Sequence, residues 1–577
     1  MFCTSRKMKG EVHLKVVIIG GVAGGASAAA RLRRLNEQAE IIILERTGFV
    51  SYANCGLPYY VGGVICDKNK LTLQTPQSFY SRFNIEVRVR QEALSINPAA
   101  KTVSVRRLED GSEYTETYDK LILSPGAKAV RPALPGIDDP RILTLRTVED
   151  AYQIQNYLEG KKPRHAVVVG GGFIGLEMAE NLIHTGISVT LLQRSAQVMP
   201  SLDFDMACQV HAYLCSKGVD LRTFSPIRCY EGTQKSVRVL LESGETIETD
   251  LIILGVGVEP DSHLARDAGL KLGAKGSIVV NGRMETSVSD IYAVGDAVEI
   301  CHAVSGSKSL ISLAGPANKQ GRIAANNICG LNSTYDGAMG STVIKLFDMT
   351  VASTGLNEKM AKAAGIAYDR VVTYSASHAT YYPGATNLTL KTLFLPENGA
   401  IIGAQIVGFE GVDKRIDVMA TAIQSGATAE DLEELDLAYA PPYSSAKDPV
   451  NMAGFVIENV RKGLVKQFHW TDLKDLFSRR DIILLDVRNE DEFQNGHIPH
   501  AVNIPLDALR SRLGELDKGR SVYVNCFSAL RSYIACRILS QNGFDCYNFS
   551  GGYRFYDLIA GENGFDASPT RPCGVKL

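Results

Sequence analysis

Apolar runs of strand length punctuate this chain, and two of them open units of the same design. Residues 15–45 read as strand, glycine turn, helix and strand, and residues 164–194 repeat that order. Further strand-then-turn segments stand between the units, at Leu121-Ile122-Leu123-Ser124-Pro125-Gly126-Ala127, and after them, at Ile291-Tyr292-Ala293-Val294-Gly295-Asp296. The first unit is therefore expected to be interrupted by the second. From about Ser341 to Gly463 the pattern changes to alternating strands around residues 343–346 and 400–404, then a helix before Tyr439, which predicts a separate α+β unit. A basic, amphipathic stretch from Arg461 to Trp470 leads to a last segment with its own strand-helix alternation, in which Ile482–Asp486 and Ser521–Asn525 are the buried strands. The division expected is a disordered leader (1–14), a first nucleotide domain in two parts (15–160 and 286–340), a second (161–285), an α+β domain (341–463) and an α/β domain (464–577).

Composition narrows the partners. The 577 residues carry 61 Lys plus Arg against 63 Asp plus Glu, so no charge excess favours nucleic acid or an anionic membrane. The apolar runs are far short of the roughly 20 residues of a membrane span, and residues 1–14 lack the apolar stretch of a secretory signal. Twelve cysteines without regular spacing fit a reduced chain in the cytoplasm better than a disulfide framework.

The glycine turns carry the first chemistry. Gly170-Gly171-Gly172-Phe173-Ile174-Gly175 is a full GxGxxG between an apolar strand and a helix. Gly170 suits the tight turn, Gly172 the approach of a pyrophosphate and Gly175 close helix packing, with the helix N-terminus supplying N–H donors. In Gly20-Gly21-Val22-Ala23-Gly24-Gly25, Val22 replaces the middle glycine, while Gly20 and Gly25 keep the outer positions. Gly21 and Ala23 complete that turn, and Glu45 ends the second strand where a ribose-binding carboxylate is expected. Gly126 and Gly295 close two further turns, and Asp296, read as a buried acid, is placed to hydrogen-bond a ribitol chain. At the acid position of the second unit stand Gln193 and Arg194, which leaves NADH and NADPH both open.

Cys55, in Ser51-Tyr52-Ala53-Asn54-Cys55-Gly56-Leu57-Pro58-Tyr59-Tyr60, has no second cysteine within a helical turn. Its disulfide partner must come from outside the chain, which points to redox chemistry on a small thiol through a mixed disulfide. These motifs, with Tyr439-Ala440-Pro441-Pro442-Tyr443-Ser444-Ser445-Ala446-Lys447-Asp448-Pro449, resemble the single-cysteine branch of the pyridine nucleotide-disulfide reductases, and within it the coenzyme A-disulfide reductases, from about Lys15 to Lys462. The resemblance implies FAD in the first unit, NADH or NADPH in the second, and a homodimer built through the third whose partner subunit completes each active site. It implies tyrosines where dithiol reductases use histidine: Tyr381 and Tyr439 by position, with Tyr382 and Tyr443 as rivals. Coenzyme A contacts carry over to Ser27, Arg31, Arg34, Ser51, Asn54, Asn318 and Lys447. Arg31 and Arg34, three residues apart on one helix face, suit a phosphate-bearing ligand.

The last segment resembles a rhodanese, on Leu485-Asp486-Val487-Arg488, Gly496-His497-Ile498-Pro499 and Cys526-Phe527-Ser528-Ala529-Leu530-Arg531. The loop from Cys526 is expected to curl its N–H groups around the sulfur, with Arg531 and the helix N-terminus favouring a thiolate or persulfide anion. Four residues between Cys526 and Arg531 suit a sulfur atom, and Ala529 stands where many rhodaneses have glycine. Cys536 and Cys546 are assigned to the core, and no metal site is expected. The fold class is thus α/β: two Rossmann-like FAD and NAD(P) domains, an α+β dimerisation domain and a C-terminal α/β rhodanese domain. The function implied is NAD(P)H-dependent reduction of coenzyme A persulfide, polysulfide and disulfide. The alternatives are an NADH oxidase or peroxidase, whose relatives place a histidine on the helix that here reads Ala28-Ala29-Ala30-Arg31-Leu32-Arg33-Arg34, and a non-catalytic sulfur-relay scaffold.

Overall fold

Five parallel strands run Ile291–Ala293, Lys120–Leu123, Lys15–Ile19, Glu40–Glu45 and Glu86–Val89 across the first sheet of the computed structural model, which describes residues 14–561. Chain segments some 270 residues apart thus build one sheet. Its strands are near-continuous apolar runs because both faces are covered. The helix Ala23–Leu35 buries Ala28, Ala29 and Leu32, and its small residues admit the helix Ala314–Ile328 so closely that a Cβ on Gly321 would lie 2.3 Å from the Gly24 carbonyl oxygen.

The described residues form two compact units, and the first also holds a second parallel sheet of Ser188–Leu192, His165–Val169, Leu251–Leu254 and Ile142–Thr144. An antiparallel meander, Ile227–Gly232, Val237–Leu241 and Thr246–Thr249, follows it in the same unit. Apart from Leu14, the leader read over 1–14 lies outside the described residues, as does the chain after 561.

In the second unit an antiparallel sheet runs in the order Thr342–Leu346, Met349–Gly355, Ile401–Gly408, Asn387–Phe394, Asp369–Ala376. Helices Val412–Gln424 and Pro449–Arg461 cover it through Val412, Ile416, Met419, Val450, Ala453 and Ile457. Asn387–Phe394 is buried along its whole length, polar residues included. Two of those polar residues meet the helix Phe204–Ser216: Thr389 donates to Gln209 at 2.7 Å, and the Lys391 ammonium donates to both Asp205 oxygens at 2.8 and 2.6 Å. Residues 193–224 accordingly group with this unit. Lys391 also meets Glu358 at 2.6 Å and Asp203 at 3.0 Å, with no exposure of its own side chain. A second parallel sheet in this unit, Lys466–Phe468, Cys546–Phe549, Ser521–Asn525, Ile482–Asp486 and Val502–Asn503, is reached through Trp470, whose indole N–H donates to Asp205 at 3.2 Å.

Candidate active site

Two glycine turns in the first unit share one geometry. Gly20 and Gly170 have φ of +95° and +102°, which glycine adopts without strain. A Cβ on Gly20 would stand 2.0 Å from the Ser124 carbonyl oxygen, and one on Gly170 2.4 Å from that of Gly255. A Cβ on Gly25 or Gly175 would stand 1.9 Å from the carbonyl oxygen of Gly20 or Gly170. Gly172 differs: a Cβ there would meet nothing within 4 Å, so the fold itself does not require glycine. That open space in front of the N-terminus of Phe173–His184 fits a pyrophosphate backbone approach.

The FAD fit rests on Glu45 and a cleft. Buried at the end of its strand, Glu45 accepts from the Gly21 N–H through Oε2 and from the Thr47 N–H and hydroxyl through Oε1, each at 2.8 Å. These bonds hold the carboxylate still and leave oxygen lone pairs for ribose hydroxyls. Glu45 lines a cleft with Gly20, Pro125, Asp261 and His263, where the adenosine half would lie. Asp296, read as a buried acid, keeps 17% of its side chain exposed and meets Arg146 in a 2.6 Å ion pair.

Arg146, which the sequence reading missed, joins the turn before Cys55 to this frame. Its Nη2 meets Asp296, its Nε donates to the Ala127 carbonyl at 3.1 Å, and Asn54 pairs with it through Oδ1 on Nη1 at 3.2 Å and Nδ2 on the Arg146 carbonyl at 3.0 Å. Cys55 follows Asn54 in the short turn Asn54–Gly56 and reaches solvent. The atoms packed round its thiol push its pKa up, Glu177 adds to that rise, and Arg146 opposes it. Glu177, on the helix behind the second glycine turn, is itself pushed up to about 7 by burial; Tyr59 donates to it at 3.4 Å. It carried no signal in sequence beyond its place in a nucleotide-binding helix.

Of the residues assigned to coenzyme A, Ser27 and Asn318 meet, while Arg31 and Arg34 turn to other residues of this unit. Ser27 donates to Asn318 at 2.8 Å across 291 residues, Arg31 Nε donates to Asn326 at 2.8 Å, and Arg34 lies over the Phe83 ring at 5.7 Å. Ser51 sits at φ +48°, tied by its N–H to the Gly21 carbonyl. In the second unit the Tyr381 and Tyr439 hydroxyls are 2.7 Å apart and both rings are exposed, whereas Tyr382 stacks edge-on against His378. Lys447 accepts from Ser445 through its carbonyl. Gln193 Nε2 donates to Ser195 and the Gln197 carbonyl, and Arg194 follows it on the same turn.

The sulfur loop lies at the end of strand Ser521–Asn525. Tyr553 and Arg554 donate their backbone N–H groups to the carbonyls of Cys526 and Phe527 at 2.7 and 3.0 Å. Because a trans peptide points C=O and N–H opposite ways, this aims the next N–H groups to the other side of the loop. Only glycine serves at 552, where a Cβ would lie 2.7 to 2.8 Å from three loop backbone atoms. Ala529 takes φ +69° at the N-cap of Leu530–Gln541, the left-handed conformation its replacement of glycine implied. Cys526 is fully buried, and Cys536 and Cys546 are buried beside it in the same core. Arg531 keeps the electrostatic attraction to Cys526 that was expected of it, while its two terminal nitrogens are taken by Glu492, each at 2.7 Å, and the side-chain donor to the Cys526 sulfur is Ser532, at 3.3 Å. Among the described residues no helix is long and apolar enough to cross a membrane.

Residues 14–321 match the family model described as pyridine nucleotide-disulphide oxidoreductase, residues 341–449 its dimerisation domain, and residues 469–556 a rhodanese-like domain. A coenzyme A disulfide reductase of Staphylococcus epidermidis is 37% identical over 442 residues, 76% of this chain and 99% of that protein. The crystal structure of reduced Bacillus anthracis CoADR-RHD is 46% identical with a TM-score of 0.93, covering 95% of this chain and 98% of that one. A NAD-dependent persulfide reductase from A. fulgidus is 39% identical with a TM-score of 0.88, over 94% of this chain and all of that one.

Proposed function

The chain belongs to the pyridine nucleotide-disulphide oxidoreductase family, and on that premise we propose that it is a flavoprotein using NAD(P)H to reduce coenzyme A persulfide and coenzyme A disulfide through Cys55, with its rhodanese segment handling sulfane sulfur on Cys526. The observation that carries the reading is the joint presence in one chain of an accessible cysteine, Cys55, framed by Asn54 and Arg146, and a closed sulfur loop at Cys526. The similarity to Bacillus anthracis CoADR-RHD over 95% of this chain, and to a NAD-dependent persulfide reductase over 94% of it, supports the reading.

When bound, FAD supplies two-electron transfer from the nicotinamide to sulfur. The chain's own residues do the rest. Glu45 and the Gly20 turn hold the adenosine end, Arg146 and Asp296 fix the turn before Cys55, and Gly172 leaves room for the nicotinamide cofactor's pyrophosphate. The Cys55 thiolate attacks the coenzyme A sulfur of a persulfide; a Cys55–coenzyme A disulfide forms and hydrosulfide leaves with the bonding pair. Two electrons and a proton then restore the thiolate and release coenzyme A. In this reading the Tyr381–Tyr439 pair, whose hydroxyls meet at 2.7 Å, gives or takes that proton at the partner subunit's cysteine, in a homodimer built on the dimerisation domain. Ser27, Arg31, Arg34 and Asn318 grip the ligand's phosphates. We infer the reducing cytoplasm as the compartment, from twelve cysteines whose irregular spacing does not suit a disulfide framework.

Cys55→Ser and Cys526→Ser separate the two sulfurs. Cys55→Ser keeps FAD and still bleaches its absorbance under NADH, but loses turnover of coenzyme A disulfide and persulfide. Cys526→Ser loses sulfane transfer from an inorganic donor and keeps reduction of preformed coenzyme A persulfide. Substantial persulfide reduction by Cys55→Ser overturns the single-thiol mechanism; equal loss of both activities in Cys526→Ser places that cysteine inside the reductase cycle. For the nucleotide we infer NADH, with a preference below about a hundredfold, since that ratio needs roughly 2.7 kcal/mol and Gln193-Arg194 brings no carboxylate to repel a 2′-phosphate. Steady-state kcat/KM with both nucleotides checks it, and a clear NADPH preference that vanishes in Arg194→Ala contradicts it.

A further inference from the structure

Arg531 does not grip the Cys526 sulfur with its fork. Both terminal nitrogens lie on the Glu492 carboxylate, whose pKa they hold down against the rise that burial alone would cause, and the buried Nε finds no hydrogen-bond partner among the described residues. The direct side-chain donor is Ser532, one position further on. Its hydroxyl donates to Sγ at 3.3 Å, and both residues are wholly withdrawn from solvent. A serine in the first turn of a helix commonly spends its hydroxyl on nearby backbone. Here it is turned to the sulfur instead, and the helix is capped by Ala529, which has no side-chain acceptor to offer.

We propose that Ser532 is the positioning residue for sulfur transfer at Cys526, donating to Sγ whenever that sulfur carries the negative charge. The proposal rests on the reading of Cys526 as a sulfur carrier. In the transfer the Cys526 thiolate attacks the outer sulfur of a donor such as thiosulfate. A bond forms between Sγ and that sulfur, the donor's S–S bond breaks, and sulfite leaves with the electron pair, so no outside oxidant or reductant is consumed. In the second half an acceptor thiolate takes the outer sulfur and the Cys526 thiolate departs with the pair. Sγ is an anion before the first attack and after the second. A buried hydroxyl aimed at it strengthens the anion and fixes its direction of attack, beside the longer-range attraction of Arg531, whose terminal nitrogens stay on Glu492.

The test uses the full chain with Ser532→Ala, Ser532→Thr and Cys526→Ser. Alkylation of Cys526 by iodoacetamide is followed against pH by mass spectrometry of the Cys526 peptide, with thiosulfate-to-cyanide transfer measured alongside. In Ser532→Ala the alkylation half-point moves up by about one pH unit, and kcat for transfer falls about tenfold while KM for thiosulfate stays within about twofold. Ser532→Thr, which keeps the hydroxyl, restores both. Should Ser532→Ala not fold, Ser532→Cys keeps the volume with a weaker donor, and its half-point moves in the same direction. An alkylation profile unchanged from the wild type overturns the proposal even where transfer slows, because a merely structural serine would slow transfer without moving the half-point. If the wild type and Cys526→Ser transfer sulfur equally, the carrier reading fails instead, and the alkylation profile still decides for or against Ser532.

Discussion

Charge beside a thiol decides how much thiolate it holds at neutral pH, and Cys55 has two opposed neighbours. Burial and Glu177 raise its pKa, and Arg146 lowers it. Glu177→Gln removes the negative charge, so the half-point for alkylation of Cys55 in the reduced enzyme should fall by about one pH unit, with FAD content unchanged. Mass spectrometry of the Cys55 peptide checks this, and a rise would contradict it. Glu177 also has a stability signature. Its folded pKa of about 7 lies above the ordinary 4.5, so its contribution is complete below about pH 4.5 and lost as the pH rises through about 7. In Glu177→Gln that part of the pH dependence should vanish from denaturation midpoints.

At the scale of elements, the second glycine turn assigns different work to glycines five residues apart or fewer. Gly172→Ala adds a methyl group to open space at an extended φ of −84°, so thermal stability should stay within about 0.5 kcal/mol while KM for NADH rises about tenfold. Gly175→Ala drives its Cβ into the Gly170 carbonyl and should cost both nucleotide binding and stability. Calorimetry together with NADH kinetics on the two variants distinguishes them, and equal behaviour would show that Gly172 does not face the pyrophosphate. The sulfur loop follows a similar logic, since Gly552 and the N–H groups of Tyr553 and Arg554 shape it from behind.

Across the second unit as a whole, one buried lysine holds segments far apart in sequence. Lys391 meets Asp203, Asp205 and Glu358, and Asp205 in turn accepts from Trp470. Burial would raise Glu358, but Lys391 and Arg370 override it and hold its pKa at about 2. A carboxylate depressed in this way contributes stability that is complete above about pH 4.5 and lost as the pH falls toward about 2, so acid should loosen this unit. Lys391→Met leaves three carboxylates without their shared cation and should cost about 3–5 kcal/mol. Trp470 is the single tryptophan of the chain and stands at this node, so its fluorescence during urea unfolding reports the loss directly. A midpoint equal to that of the wild type would show the node to be neutral to stability.

Local chemistry decides what a sequence alone determines. The two strand-turn-helix units, the sulfur loop and the solitary Cys55 were legible because each depends on residues within a few positions: glycine where φ is positive, apolar runs where a strand is covered on both faces, and one thiol without a neighbour. Ala529 was legible in the same way, as a residue forced to φ +69° where glycine is usual. Other features were settled only by folding, because they join residues that sequence separates. Arg146 meets Asn54 and Asp296 from 92 and 150 positions away, Glu492 reaches Arg531 across 39, and Ser27 meets Asn318 across 291. The fork of Arg531 could not be assigned from its place in the loop, since a guanidinium goes to the carboxylate that the packed sheet brings within reach. The Asp296 ion pair is of the same kind: its partner Arg146 lies 150 positions away, and only the tertiary structure puts Arg146 there.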